Sequence, residues 1–235
     1  MTPSVSMARN NRGIFVTGTD TGVGKTRVAG ALLRAFATRG WRAVGMKPIA
    51  AGVAPGASRN ADVAALQSAG NVAASLDDVN PYSFAPAIAP HLAAVKSGVV
   101  LELESIATAY ARLAARADIV VVEGAGGTLV PLFGSCDMLD VPARLNLPVL
   151  LVVGMRLGCL NHALLSALAI NARGLTFAGW IANRIDPEML AIDDNIAALA
   201  ARLPAPLVAD LLWCPGEEGT MSLPESAIRA LDLVR

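Results

Sequence analysis

The chain has 235 residues, enough to bury a sizeable core as one α/β domain or two small ones. Hydrophobic residues make up 54% and aromatic residues only 4%, so that core must be mostly aliphatic. With 19 basic and 19 acidic side chains the formal net charge is zero, and nothing in the balance favours nucleic acid or an anionic membrane as the main partner.

In chain order, residues 1–12 are polar, carry Arg9 and Arg12 and lack an apolar stretch, which predicts a loose N-terminal tail and no signal peptide. Residues 13–235 then form the domain. Ile14, Phe15 and Val16 predict a first strand, followed by the loop Gly18-Thr19-Asp20-Thr21-Gly22-Val23-Gly24-Lys25-Thr26. A helix follows from about Gly24 to Thr38, with Val28, Leu32, Leu33 and Phe36 at helical spacing. Strand, glycine loop and helix in this order form a phosphate cradle, because loop and helix N–H groups point at phosphate oxygens. Lys25 supplies a charge to the terminal phosphates, and the Thr26 hydroxyl a ligand for Mg²⁺. The common spacing would place the first glycine at Thr19. Here it is Gly18, so the loop is a variant.

A second strand is expected near Ala43 to Lys47, stopped by Pro48, then a loop from Gly52 to Ala61 and a short helix from Asp62 to Ala69. Pro81, Pro86 and Pro90 forbid long regular elements between Asn71 and Gly98, and an irregular excursion is expected there. Glu102 to Ala117 returns to helical period. Asp118 to Glu123 is a β-branched run expected of a strand buried on both faces. Pro148 to Gly154 predicts a strand, Asn161 to Asn171 a helix, Thr176 to Asn183 a strand and Glu188 to Leu203 a helix. A last strand (Leu207 to Leu211) and helix (Leu223 to Leu233) close the chain. Strands alternating with helices predict an α/β fold: a single-domain, doubly wound, mostly parallel sheet with helices on both faces, of P-loop NTPase type.

Ligands of such sheets sit outside the carboxyl ends of the strands. Gly18, Lys47, Glu123, Gly154 and Asn183 all stand at or just past predicted strand ends, so they should gather on one rim. Glu123, followed by Gly124-Ala125-Gly126-Gly127, is placed to hold Mg²⁺ directly or through water. Lys47 reads either as a solvated loop lysine or as a second ammonium facing the phosphates or an anionic substrate. Gly158-Cys159-Leu160-Asn161-His162 opens a helix whose N-terminus attracts anions, although Asn161 also reads as a simple helix cap. Cys159 has no activating base, and His162 and His91 lack a metal-ligand pattern. The cysteines at 136, 159 and 214 form no Cys-x-x-Cys pair, which suits a reducing cytosol and a soluble cytoplasmic protein. Leu147 to Met155 is too short to cross a bilayer. The residues by themselves support Mg²⁺-dependent phosphoryl chemistry on a small anionic acceptor and do not name that acceptor.

The ordered set Phe15 to Thr26, Lys47-Pro48, Val122 to Gly127 and Leu157 to Ala163 resembles the dethiobiotin synthetase family. The likeness extends through Arg59-Asn60-Ala61-Asp62, Asn80-Pro81-Tyr82, Pro90-His91 and Gly179 to Asn183, so it spans the chain from Gly13 to about Val208. The resemblance implies ATP-dependent closure of a cyclic urea in biotin biosynthesis. 7,8-Diaminononanoate takes up CO₂ as a carbamate, the carbamate attacks the γ-phosphorus of ATP, and the second amine displaces phosphate. It also implies Lys25 and Lys47 as catalytic groups, and Thr26, Asp62 and Glu123 as Mg²⁺ ligands. ATP would be bound by Gly22, Val23, Gly24, Lys25, Thr26, Arg27, Asp62, Glu123, Gly124, Ala125, Gly126, Asn183, Arg184, Leu212, Trp213 and Cys214, with Asn183 reading adenine. Substrate would meet Thr19, Thr21, Ala51, Gly126, Gly158, Cys159 and Asn161, the last three from the other subunit of a homodimer. No nucleic acid or membrane is implied. Four features depart from the family: Ala51 stands where a hydroxyl residue is frequent, Gly22 replaces an acid found in some relatives, Arg156 replaces a common lysine, and Asp210 to Cys214 differs in wording. Two rivals are an amidating ligase, for whose glutaminase domain there is no room, and a partner-regulated switch ATPase, which usually carries an extra lysine early in the loop.

Overall fold

The computed structural model describes residues 12–213, 223 and 225–232. β1 (Arg12–Gly18) leads through the phosphate loop into α1 (Lys25–Thr38), and β2 (Ala43–Met46) follows. After it come β3 (Ile49–Ala51), α2 (Ala61–Ala69), α3 (Leu76–Val79), β4 (Tyr82–Phe84), α4 (Pro90–Lys96) and α5 (Leu103–Ala114). β5 (Ile119–Glu123), β6 (Pro131–Phe133), β7 (Cys136–Asp137), α6 (Asp140–Leu145) and β8 (Val149–Met155) form the middle of the chain. α7 (Cys159–Ala172), β9 (Phe177–Arg184), α8 (Ile192–Ala200), β10 (Leu207–Leu211) and α9 (Glu225–Asp232) complete it.

Six strands build the main sheet in the order β10-β9-β8-β1-β5-β2, all neighbours parallel. This is the doubly wound arrangement expected from the alternation of strands and helices. The β-branched runs explain it locally: every residue of β5 and β8 is buried, so each needs cover on both faces. Alternate side chains divide between the layers. Ile14, Val16, Val121, Leu150 and Val152 pack with α1 and α9, while Phe15, Val120 and Val122 pack with α5 and α6. Leu151, Val153 and Trp180 pack under α7 and α8. Each such aliphatic side chain contributes roughly 1.5–3 kcal/mol by leaving water.

α1 ends where its sequence says it must. The Gly40 amide donates to the Ala37 carbonyl at 2.9 Å and the Trp41 amide to the Phe36 carbonyl at 3.1 Å. Gly40 takes φ +79°, and the Trp41 ring stacks on Phe36 with centroids 5.3 Å apart. Two orphan carbonyls are thereby satisfied, and an apolar contact seals the turn.

Several expectations are revised. Arg12, assigned to the tail, already belongs to β1; residues 1–11 lie outside the described residues. Pro48 ends β2, but β3 starts directly after it and pairs in parallel with β4, out of the excursion, as a separate two-stranded sheet. β6 and β7 form a further antiparallel pair. α7 begins two residues before Asn161: Gly158 is its N-cap at φ +96°, and Asn161 lies inside the helix. The reading of Asn161 as a cap therefore fails, because the glycine reaches a left-handed backbone that asparagine would adopt only at a cost.

Candidate active site

β1, β5, β8 and β9 end together, with Val16 beside Glu123, Gly18 beside Val152 and Gly154 beside Asn183. The phosphate loop leaves β1 at this level and turns into α1 at Gly24, which holds φ +93° and gives the helix no side-chain cap. The first amides of α1 are thus left for an anion. A Cβ on Gly24 would stand 2.2 Å from Asn183 Nδ2, so both conformation and space require glycine here. Asn183 is 1% exposed, donates from Nδ2 to the Val23 carbonyl at 2.8 Å, and has a buried Oδ1 without a partner among the described residues.

The charged centre joins four elements. Lys47, one residue past β2 and 4% exposed, reaches Glu123 Oε1 at 2.6 Å and Asp62 Oδ2 at 2.8 Å. Thr26 donates its hydroxyl to the same Glu123 oxygen at 2.8 Å. Asp62 is brought in by α2, whose N-cap Asn60 accepts the Asp62 amide at 2.9 Å. Burial alone would lower the Lys47 pKa, but Glu123 and Asp62 outweigh it and raise the pKa above its ordinary value. Burial pushes the other way on Asp62, and the Lys47 ammonium overcomes that and lowers its pKa. The solvated-lysine alternative for Lys47 is thereby excluded.

Lys25 is 7% exposed and folds back to donate to the Asp20 carbonyl at 2.8 Å. Burial first, and the nearby Lys47 ammonium second, bring its pKa down to about 8. Two ammonium groups facing one space make a strong receptor for polyanionic phosphate.

That space is a cleft of about 760 Å³. Of the residues that the resemblance marks for ATP, substrate or catalysis, Thr21, Gly22, Gly24, Lys25, Thr26, Arg27, Lys47, Ala51, Asp62, Glu123, Ala125 and Gly126 line it. Other expected residues stand nearby. Val23 is a buried residue of the loop itself, and a Cβ on Gly124 would meet the Phe15 ring at 2.8 Å. Thr19 Oγ1 accepts weakly from the Gly154 amide at 3.4 Å. Arg184 is held by Asp210 at 2.7 Å and by Asp193. Leu212 and Trp213 are exposed beyond β10, and Cys214 lies outside the described residues. Gly158, Cys159 and Asn161 open α7 and do not line this cleft. Burial raises the Cys159 thiol pKa, consistent with a packing role.

Sequence reasoning missed the far wall, Ala87 to Pro90 with Val130. Small apolar residues in an irregular segment carry no chemical signature. It also missed that Arg156 pairs with Asp20 at the loop, the Asp20 carboxylate also accepting from the Thr21 amide.

The oxygens of Thr26, Asp62 and Glu123 fit Mg²⁺. Glu123 Oε2 is buried without a hydrogen-bond partner among the described residues, an atom that a cation would satisfy. Among the described residues no cluster of three His, Cys, Asp or Glu forms a complete cage. Mg²⁺ characteristically takes only one or two carboxylates and fills its shell with phosphate oxygens and water.

A family profile described as an AAA domain matches residues 12–217. The ATP-dependent dethiobiotin synthetase of Nitrosospira multiformis is 54% identical over 200 residues, covering 85% of this chain and 88% of the relative. That of Xanthomonas euvesicatoria pv. vesicatoria is 50% identical over 206 residues, covering 87% and 92%. Among solved structures, the MinC:MinD cell division protein complex of Aquifex aeolicus aligns at TM-score 0.56 and 16% identity, covering 93% of this chain and 86% of the other. A ParA family ATPase of Chlorobium tepidum aligns at TM-score 0.54 and 15% identity over 95% and 93%. These two show a shared overall fold and nothing finer. Identity of about half the residues along nearly the full length of both sequences means that the chain belongs to the ATP-dependent dethiobiotin synthetase family.

Proposed function

We propose that the chain converts 7,8-diaminononanoate, CO₂ and ATP to dethiobiotin in biotin biosynthesis, as a soluble cytoplasmic homodimer that binds neither nucleic acid nor membrane. The observation that carries this reading is the Lys47 ammonium buried between Glu123 and Asp62 and facing the same cleft as Lys25. Transfer to a carbamate oxygen demands neutralised charge and alignment more than a strong base. Lys25 and the free amides of α1 hold the phosphates in place. Lys47, shared between two carboxylates, stands ready to balance charge on the acceptor oxygen. Bound at Thr26, Asp62 and Glu123, Mg²⁺ would neutralise phosphate oxygens. Asn183, with one amide atom fixed to Val23 and its Oδ1 unengaged, is suited to reading the adenine edge.

Ala51, Thr21 and Gly126 line the cleft, and on this reading they meet the acceptor, with Ala51 offering packing in place of a hydroxyl. The anion-attracting start of α7 lies away from this cleft, which is consistent with its serving the second subunit's substrate carboxylate. Leu165 and Leu168, three apart on α7 and 56% and 64% exposed, support a self-association face there.

The test is ADP release with Mg²⁺, ATP and bicarbonate, with and without 7,8-diaminononanoate. Diamine-dependent release with a product of dethiobiotin mass is expected. Equal release without the diamine would refute the reaction.

A further inference from the structure

β2 is an edge strand, and in a parallel ladder each residue turns both of its backbone groups to one side, neighbours alternating. Arg42 faces inward: its carbonyl accepts from the Asp118 and Ile119 amides at 2.7 and 3.2 Å. Ala43, Gly45 and Lys47 therefore face the open edge. Ala43 is covered there, since its amide donates to Asn71 Oδ1 at 2.7 Å and its carbonyl accepts from the Asn71 amide at 3.0 Å. Lys47 is covered too. Its amide donates to the Val79 carbonyl at 2.8 Å, and its own carbonyl accepts from Asn80 Nδ2 at 2.7 Å. Between these two latches the chain bows away, and the outward N–H and C=O of Gly45 have no partner among the described residues.

Gly45 is a buried residue, and the backbone groups of buried residues are rarely left so. In place of a paired segment lies a pocket of about 240 Å³ that includes Gly45, with Val44, Leu66, Val72 and Val79 as apolar walls. Arg59 stands in its lining. Its Nη1 donates to Gln67 Oε1 at 2.6 Å, a neutral partner, and no acidic partner matches its charge among the described residues.

We propose that this pocket is a second ligand site, separate from the phosphate-loop cleft, for a small molecule that joins an amide or ureido group to a carboxylate through an aliphatic chain. An N–H and C=O pair on the ligand complements those of Gly45, the carboxylate meets the Arg59 fork, and the chain covers the valines and Leu66. Water would satisfy Gly45 but would leave the apolar walls wet and the guanidinium without an anion. On the function proposed above, the reaction's own product, a cyclic urea on an aliphatic acid, belongs to this class. Two routes connect the pocket to catalysis. Gly45 lies two residues before Lys47 on one strand, and Leu66 lies one helical turn after Asp62 on α2. Occupancy thus bears on the Lys47–Asp62 ion pair, and the site reports product level to the catalytic lysine.

The experiment is a titration of the full-length protein with dethiobiotin, observed by the backbone ¹⁵N–H signal of Gly45 with a non-hydrolysable ATP analogue saturating the cleft. Imidazolidinone and acetate serve as half-ligand controls. Gly45 should shift with the intact probe and far less with either half. Arg59→Ala, an exposed position, should weaken the response about tenfold, the loss of one charge-assisted pair, with basal turnover unchanged. Val72→Trp should abolish it by filling the pocket. Dethiobiotin inhibition that is noncompetitive with the diamine should fall in parallel. A Gly45 amide unmoved at millimolar probe, or an Arg59→Ala protein that binds as tightly as the parent, would overturn the site. Absence of diamine-dependent ADP release is a different result, and would overturn the proposed reaction instead.

Discussion

Replacing Lys25 with methionine should stabilise the nucleotide-free protein at neutral pH while removing its catalysis. Lys25 is 7% exposed, and its pKa falls from the ordinary 10.5 to about 8, through burial first and repulsion by Lys47 second. That fall corresponds to ~3 kcal/mol held against the charged form. Methionine keeps the aliphatic stem and loses the bond to the Asp20 carbonyl, a charge-assisted contact of about 1.5–2 kcal/mol. The net expectation is a gain of about 1–2 kcal/mol at about pH 7. The pH dependence has a definite sign. The unfolded chain keeps this proton up to 10.5 and the folded chain releases it near 8, so between those values the unfolded state binds more protons. Parent stability therefore rises with pH across that window, and the advantage of methionine shrinks and is gone by about pH 9.5. Urea unfolding of both proteins without nucleotide at several pH values measures this. A methionine variant less stable at neutral pH, or an advantage that grows with pH, would refute the electrostatic account of the loop.

Lys47→Ala should keep ATP binding, read by calorimetry, while product formation falls at least about a hundredfold, the scale of losing one charge-stabilising group. It should also lose roughly 3–5 kcal/mol of stability in the metal-free protein, because Glu123 is 1% exposed and loses its cation. Added Mg²⁺ should restore part of that loss, as a shift in thermal midpoint. Gly24→Ala should impair nucleotide binding, since its Cβ would fall 2.2 Å from Asn183 Nδ2 at a left-handed backbone position; unchanged ATP affinity would argue against that packing. On the homodimer proposed above, with exposed Leu165 in its interface, Leu165→Glu should yield monomer in light scattering, and an unchanged mass would remove α7 from that proposal.

The main sheet was largely legible in the sequence. β5 reads as Ile-Val-Val-Val-Glu, and only a strand covered on both faces makes sense of that run. The excursion was opaque because β3 and β4 have three residues each, too short for periodicity to declare itself, and are held by pairing with each other. Helical spacing starts α7 two residues late because Gly158, and not a polar side chain, caps it.

The phosphate loop, the strand that carries it and the residue types of the charged centre are legible from residue order. Those follow from periodicity and from glycines whose backbone demands are local. The placement of Lys47 between Glu123 and Asp62, the contact of Thr26 with a carboxylate 97 positions away, and the unfilled edge beside Gly45 emerge from folding alone. These contacts depend on strand order, with β5 between β1 and β2, and that order is fixed by which apolar faces cover one another and by no local signal.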